Sequence, residues 1–189
     1  DLLASIEEDA ALLNRFVSNL LDMTRIEAGR LKVRQEPVDV REVNERAVAR
    51  IAIVHPGFTV DTSVEAGMLV AEIEPILLEQ VVFNLLDNAR KYAGTNEPVT
   101  IFLREEASGV VISVTDRGTG IAAADLDRIF DKFFRRGERG TGTGLGLSVA
   151  RGFINAMGGT ITAESPAVRN HGTRFVIRLP SPKAGMVRQ

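Results

Sequence analysis

Between Gly137 and Leu147 the chain reads GERGTGTGLGL, with glycine at 137, 140, 142, 144 and 146. Backbone so bare of side chains can lie against a ligand. Where it enters a helix near Gly144, its N–H groups suit an anion such as phosphate. The run lacks the Lys and Ser/Thr of a G-x-x-x-x-G-K-S/T loop, so cation and metal work must be done elsewhere. It also lies late in the chain, ahead of the last helix, which is not the place of a dinucleotide-binding G-x-G-x-x-G. Taken alone it serves equally well as a glycine linker.

Three further constellations could complete a site. In VVFNLLDNARKYAG, Val81 to Gly94, the residues Asn84, Asn88, Lys91 and Tyr92 fall at i, i+4, i+7 and i+8 and share one helix face. Val81, Val82, Leu85, Leu86 and Ala89 form the core face. An amide oxygen, an ammonium and an aromatic on one edge can meet a metal ion, a phosphate and a flat ring; solvated polar side chains explain the same pattern. Asp116-Arg117-Gly118-Thr119-Gly120 puts a carboxylate at a strand end, where it can accept from an exocyclic amine such as adenine's, or simply shape a turn. Phe130-Asp131-Lys132-Phe133-Phe134, followed by Arg135, Arg136 and Arg139, reads as an apolar anchor for a lid whose arginines reach phosphates. A run of arginines can equally be a solvated loop.

The elements that must carry these residues follow from periodicity. Leu3, Ile6, Ala10, Leu13, Val17 and Leu20 alternate at three and four, with Leu12, Phe16 and Met23 widening the stripe, which predicts a helix with a helical partner, ending near Gly29. Leu31 to Val38 alternates like an edge strand, and Asp39 with Glu42 forms a capping box for a helix to about Val54. Strands are expected at 58–63, 68–71, 99–105, 110–115, 160–164 and 173–179, with Ser108-Gly109 as a hairpin turn. Helices are expected from Pro75 to Tyr92 and from about Leu145 to Met157. Three strand pairs are joined by short connections, which favours antiparallel pairing. The fold expected is α+β: a two-layer sandwich with a mixed, mostly antiparallel sheet and helices on one face, preceded by one helix of a hairpin.

Composition narrows the class. The 189 residues are 44% hydrophobic, enough for one sizeable core, and 23 basic against 25 acidic side chains leave a net charge of −2, with no general basic face for nucleic acid or an anionic membrane. The absence of cysteine excludes disulfides and thiolate metal sites and suits a reducing compartment, so the cytoplasm is the expected location. There is no signal peptide and no apolar run long enough to span a bilayer. The chain opens inside a helical pattern without an initiator Met and is expected to be a fragment, which leaves room for a parent anchored in the inner membrane.

In order along the chain, the four constellations resemble the ATP-binding domain of sensor histidine kinases. NLLDNARKYA resembles that family's N box, DRGTG its first glycine box, FDKFF its F box and GTGTGLGL its second, and Gly172-Thr173-x-Phe175 its closing strand. The resemblance implies the Bergerat ATP-binding fold, with ATP and Mg2+ between a helix layer and a lid. It implies that Asn88 holds magnesium through its amide oxygen, with Asn84 supporting the phosphate site, and that Lys91 contacts phosphate. Tyr92 would cover the adenine and Asp116 would bind its amine. Gly118 and Gly120 would permit close approach, and Ile121, Phe130 and Arg135 would also contact the nucleotide. Gly142, Gly144 and Gly146 would form the lid hinge and phosphate cradle, and Thr141, Thr143, Leu145, Leu147 and Thr173 would also bind the nucleotide. The lid, roughly 135–143, is expected to be mobile without nucleotide. Relatives of the gyrase, chaperone and mismatch-repair type carry a Glu where this chain has Asn84. An amide cannot take a proton from water at neutral pH, so the resemblance favours phosphoryl transfer to another nucleophile over hydrolysis. A Bergerat ATPase or an anti-sigma-type serine kinase is the alternative.

The phosphoacceptor of that family, a His followed by Glu and an R-T-P stretch, is missing. His55 stands before Pro56-Gly57, His171 sits in Asn170-His171-Gly172, and both are expected to be bland surface residues. LLDMTRIEAG, Leu20 to Gly29, instead resembles the second helix of the family's dimerisation hairpin. Three segments are therefore expected: residues 1–30 from that hairpin, 31–180 as the ATP-binding domain and 181–189 as a flexible tail. The implied partners are the histidine-bearing dimerisation domain of a homodimeric parent and the receiver domain of a response regulator. LLDMTRIEAG, MGGTITAES and the short lid look most like the Kdp-type potassium-responsive sensor kinases.

Overall fold

The computed structural model describes residues 2–93, 97–135, 143–168 and 171–182. Four helices occur among them, α1 (Leu2–Glu27), α2 (Val40–Val54), α3 (Pro75–Tyr92) and α4 (Gly146–Ala156), with strands β1 (Glu36–Asp39), β2 (Val60–Val64), β3 (Val70–Ile73), β4 (Val99–Glu106), β5 (Gly109–Thr115), β6 (Thr160–Glu164) and β7 (Arg174–Pro180). β2, β4, β5, β7 and β6 form one sheet in that order, antiparallel except for the parallel pair β2 and β4.

Register explains why this sheet has one apolar face. Leu103, Ile112, Ile177 and Ile161 lie opposite one another across four strands, and Ile101, Val114, Phe175 and Ala163 form the next row. Side chains two apart point the same way, so both rows face the helices, where they join Val81, Val82, Leu85 and Leu86 of α3 and Val149, Phe153 and Ile154 of α4 in a single core. The alternate positions carry Arg104, Arg178, Thr160 and Thr162 outward. The expected two-layer α+β architecture is the observed one. No helix among the described residues is long and apolar enough to cross a membrane.

Asp39 caps α2 by accepting from the Arg41 amide at 3.0 Å, the N2 position, and holds the Arg41 guanidinium as well. α2 runs beside α3 in the same direction. Arg46 and Arg50 meet Glu79, and the Arg50 guanidinium lies 4.4 Å from the Phe83 ring centre.

α1 divides its apolar residues between two faces. Ile6, Leu13, Val17 and Leu20 are exposed, so the stripe expected to seek a helical partner has none within the described chain. Met23 and Ile26 turn inward to the core. A Cβ on Gly152 of α4 would stand 2.6 Å from Ile26 Cδ1, so the glycine admits that side chain. Gln80 of α3 donates to Asp22, and Lys132 pairs with Glu27. The end of α1 is thus part of the folded body.

Three expectations are corrected. Only Glu36–Asp39 of 31–38 is strand, and it pairs with β3 in a separate two-stranded sheet. The short link between β2 and β3 is not a hairpin. β3 presents Ala71 and Ile73 to the core and pairs with β1, whereas polar β2 edges the main sheet, parallel to β4 across the β3–α3 crossover. The β4–β5 turn is Ala107-Ser108, and Gly109, opposite Glu106, is already strand. The expected tail lies almost wholly outside the described residues.

Ile112 is fully buried at the centre of both layers. We expect Ile112→Ala to lower unfolding free energy by about 3 kcal/mol, from lost transfer energy plus a cavity that the sheet cannot collapse. Urea titration should show a lower midpoint with an unchanged slope.

Candidate functional site

Between α3, the start of α4, the loop after β5 and one face of α1 lies a cavity of about 380 Å³. α3 contributes Asn84, Asp87, Asn88, Lys91 and Tyr92, as the i, i+4, i+7 spacing predicts for residues on one face. Asp116, Gly120 and Ile121 enter from the loop after β5, Thr173 from just ahead of β7, and Arg135, Thr143, Gly144, Gly146 and Leu147 from the two ends of the glycine-rich segment.

At the base of the cavity Asp116 is buried, and its Oδ1 accepts from the Gly118 amide at 2.8 Å and the Thr173 amide at 3.1 Å. Among the described residues both bonds go to Oδ1, which leaves the lone pairs of Oδ2 for a ligand's amine. Burial pushes the carboxyl above its ordinary range, and the two amides pull it only part of the way back.

The opposite end is built around Asp87. Its Oδ2 lies 2.5 Å from Lys91 Nζ and 3.8 Å from Arg15 Nη1 of α1; its Oδ1 lies 3.3 Å from Arg90 Nη2. Burial alone would raise this carboxyl, but the Lys91 hydrogen bond and the charges of Lys91, Arg90 and Arg15 outweigh it and hold it below the ordinary value. His55, at the end of α2, comes within 3.3 Å of the same Oδ1 without hydrogen-bond geometry. Burial, then the Arg90 charge, holds its imidazole below its ordinary range and so neutral at pH 7. Asn84 Nδ2 is buried without a hydrogen-bond partner. The Asn88 side chain makes no hydrogen bond among the described residues. A donor and an amide oxygen one turn apart are therefore unspent beside two cations. α4 starts at Gly146 without a side-chain cap, so its first amides, beside Gly146 and Leu147, are also open to an anion.

Several expected site residues act otherwise. Phe130 is buried and meets the Phe175 ring edge-on at 6.4 Å; Ile129 and Phe134 line the cavity in its place. Leu145 is fully buried, since the turn into α4 points it to the core. Gly118 does not line the cavity. A Cβ there would fall 2.3 Å from Ala93 Cα, so the glycine lets the loop lie flush on the end of α3. Gly144, at φ +71, has a conformation that L side chains rarely adopt, and its carbonyl accepts from the Phe133 amide at 3.0 Å, closing the base of the glycine-rich segment. Thr141 and Gly142 lie outside the described residues, as does most of the expected lid. His171 is exposed as expected, but His55 is half-buried against Asp87 rather than a bland surface residue.

The lining also includes Arg15 and Asn19 of α1, Phe83, Thr119 and Asp125, none of them anticipated. Asp87 could have been found inside NLLDNARKYA, because it stands four residues before Lys91. Arg15 could not, since nothing local says that α1 docks here.

Asp87 has a lowered carboxyl in the fold, so its contribution to stability is present above the ordinary value of 3.8 and is lost as pH falls through the folded value. Asp87→Asn should cost on the order of 2 kcal/mol at pH 7, the worth of charge-assisted hydrogen bonds. The gap between variant and parent should shrink steadily below about pH 4 in urea titrations at stepped pH.

Comparison with known proteins agrees with this geometry. Residues 73–183 match the family described as histidine kinase-, DNA gyrase B-, and HSP90-like ATPase. Two curated relatives are sensor protein KdpD of Clostridium acetobutylicum, 34% identical over 95% of this chain and 20% of the relative, and sensor protein KdpD of Mycobacterium tuberculosis, 38% identical over 97% and 22%. The chain spans about a fifth of the length of these relatives. They carry the name behind the Kdp-type resemblance. Among solved structures, the mycobacterial sensor histidine kinase MprB superposes with a TM-score of 0.69 at 29% identity, over 79% of this chain and 99% of that one. Full-length ShkA in complex with AMPPNP shares the fold at a TM-score of 0.79 and 24% identity, over 94% of this chain and 37% of that one. With its N-box face, buried Asp116 and the two ends of its glycine-rich segment gathered round one cavity, the chain belongs to the histidine kinase-, DNA gyrase B- and HSP90-like ATPase family.

Proposed function

We propose that the chain is the ATP-binding catalytic domain of a sensor histidine kinase, which passes the γ-phosphoryl group of ATP to a histidine of a dimerisation domain for relay to a response-regulator aspartate. Residues 31–180 form the catalytic unit and 1–30 the second helix of the dimerisation hairpin in a homodimeric parent working on the cytoplasmic side of a membrane. The observation that carries the reading is Asn84. Its amide is buried without a partner at the cavity wall. It can donate to phosphate but cannot take a proton from water, so the site has no general base there for hydrolysis.

Each end of the cavity then has a task. Asp116 accepts the adenine amine through Oδ2, in a pocket floored by Ile121 and Phe175 and bordered by Tyr92. Lys91, the Asn84 amide and the first amides of α4 receive the phosphates and balance the charge that spreads over the transferred group. The donor set fits Mg2+. Asn88 offers an uncommitted amide oxygen, and no cluster of three or more acidic or histidine ligands occurs among the described residues, which suits an ion held by one side chain, water and substrate phosphates. Bound there, Mg2+ would neutralise phosphate charge. Transfer breaks the bond from γ-phosphorus to the β,γ-bridging oxygen and forms one to an imidazole nitrogen, releasing ADP. Neither His55 nor His171 lines the cavity, so the acceptor is supplied from outside this chain.

In isothermal titration, Asn88→Ala should weaken Mg-ATP binding about tenfold while leaving metal-free ATP binding little changed. Phosphoryl transfer to an added His-bearing hairpin, with negligible phosphate release by the chain alone, is the expected outcome; steady phosphate release would instead favour the ATPase reading. Because the Asp116 carboxyl is raised, ATP affinity should fall on acidification at a pH above the ordinary carboxylate range. Asp116→Asn should lose about tenfold in affinity at pH 7 and be insensitive over that window.

A further inference from the structure

Arg15 is an unexpected member of the cavity wall. It sits on α1, where Asn19, one turn on, also lines the cavity. Its guanidinium is 3.8 Å from Asp87 Oδ2, beyond hydrogen-bond reach, and among the described residues Arg15 makes no hydrogen bond. All five of its side-chain donors are unspent among those residues. The oxygen it faces is also the one held by Lys91 at 2.5 Å. Two cations from different helices thus converge on one carboxylate oxygen at the end of the cavity away from Asp116. One carboxylate does not match two cations, and Arg90 already holds its other oxygen. A polyphosphate entering beside Asn84 and Lys91 meets a second, planar cation whose fork suits phosphate oxygens.

On the reading that ATP is the ligand, we propose that Arg15 of α1 is a phosphate-binding residue of the nucleotide site. ATP draws the Arg15 guanidinium and the Lys91 ammonium from Asp87 Oδ2 onto its β- and γ-phosphates. The consequence is positional as well as energetic. α1 carries the exposed stripe of Ile6, Leu13, Val17 and Leu20, so a phosphate gripped from both helices fixes that stripe relative to the catalytic layer.

The test titrates adenosine, ADP and ATP into the 189-residue chain and its Arg15→Ala, Arg15→Gln and Arg15→Lys variants by calorimetry, with thermal melts alongside. Arg15→Ala and Arg15→Gln are expected to bind ATP about tenfold more weakly, with adenosine unchanged, and Arg15→Lys to recover part of the loss. An ATP analogue should protect α1 from protease in the parent chain and protect it less in Arg15→Ala. If the variants bind ATP as the parent does, or lose adenosine and ATP by the same factor, Arg15 only anchors α1 and the proposal is overturned; a lower melting temperature with unchanged nucleotide discrimination overturns it equally. A parent chain that binds no adenine nucleotide would overturn the ATP reading itself, and this proposal with it.

Discussion

A buried carboxylate must be satisfied, and Asp116 imposes that requirement where two strands end. Oδ1 takes the amides of Gly118 and Thr173, while the Asp116 amide donates to the Thr173 carbonyl and the Gly172 amide to that of Gly118. Four bonds thus tie the end of β5, the loop beyond it and the entry to β7. Ser165 extends the tie, since its hydroxyl accepts from the Ile121 amide and donates to the Gly172 carbonyl. The floor proposed to receive the base is thus tied down by the protein's own bonds, which would spare a binding event the cost of ordering it. Burial keeps the same carboxyl above its ordinary range although the amides of Gly118 and Thr173 pull it back, so a donor from a ligand would further stabilise the ionised form.

The other end of the cavity is adjustable by contrast. Its groups are long side chains on helices, and the charges around Asp87 can be redistributed without moving backbone. Lys91 has its carboxylate partner on its own helix, at i and i+4, so losing that contact leaves α3 intact. On the proposed function, a site that fixes the base and leaves the cations beside Asp87 free to exchange partners would suit a substrate whose reacting end changes charge distribution during transfer.

How much of this was legible in the chain depends on the range of the forces involved. α3 was foreseen from Pro75 to Tyr92 because a first-turn proline and an uninterrupted apolar face are local signals. The face bearing Asn84, Asn88 and Lys91 followed directly. β4, β5, β6 and β7 were found within a residue or so, since each is a short run rich in β-branched and apolar residues bounded by turn signals. β1 and β3 were displaced because their partnership spans the whole of α2, and no local pattern distinguishes a short strand paired at that distance from a hairpin arm. The same limit applies to the site. Phe130 and Leu145 stood in the right motifs, but which member of an apolar run faces a cavity is decided by packing on β7 and the core, not by spacing. Arg15 and His55 reached Asp87 only through the docking of α1 on α4 and of α2 on α3.

That docking sets how strongly α1 is coupled to the cavity. An ion pair at 3.8 Å with Arg15 partly exposed contributes on the order of 0 to 1 kcal/mol. What seats α1 is therefore apolar: Met23 and Ile26 against the core, with Ile26 filling the space that Gly152 leaves open on α4. These contacts belong to the last turns of the helix, whereas Arg15 and the exposed stripe lie nearer its beginning. α1 is thus seated at one end and bridged to the cavity wall by a weak charge pair farther along. A helix held in that way is tied to the core at its end and to the cavity wall only through Arg15, the group through which an anion bound beside Asp87 would act on it.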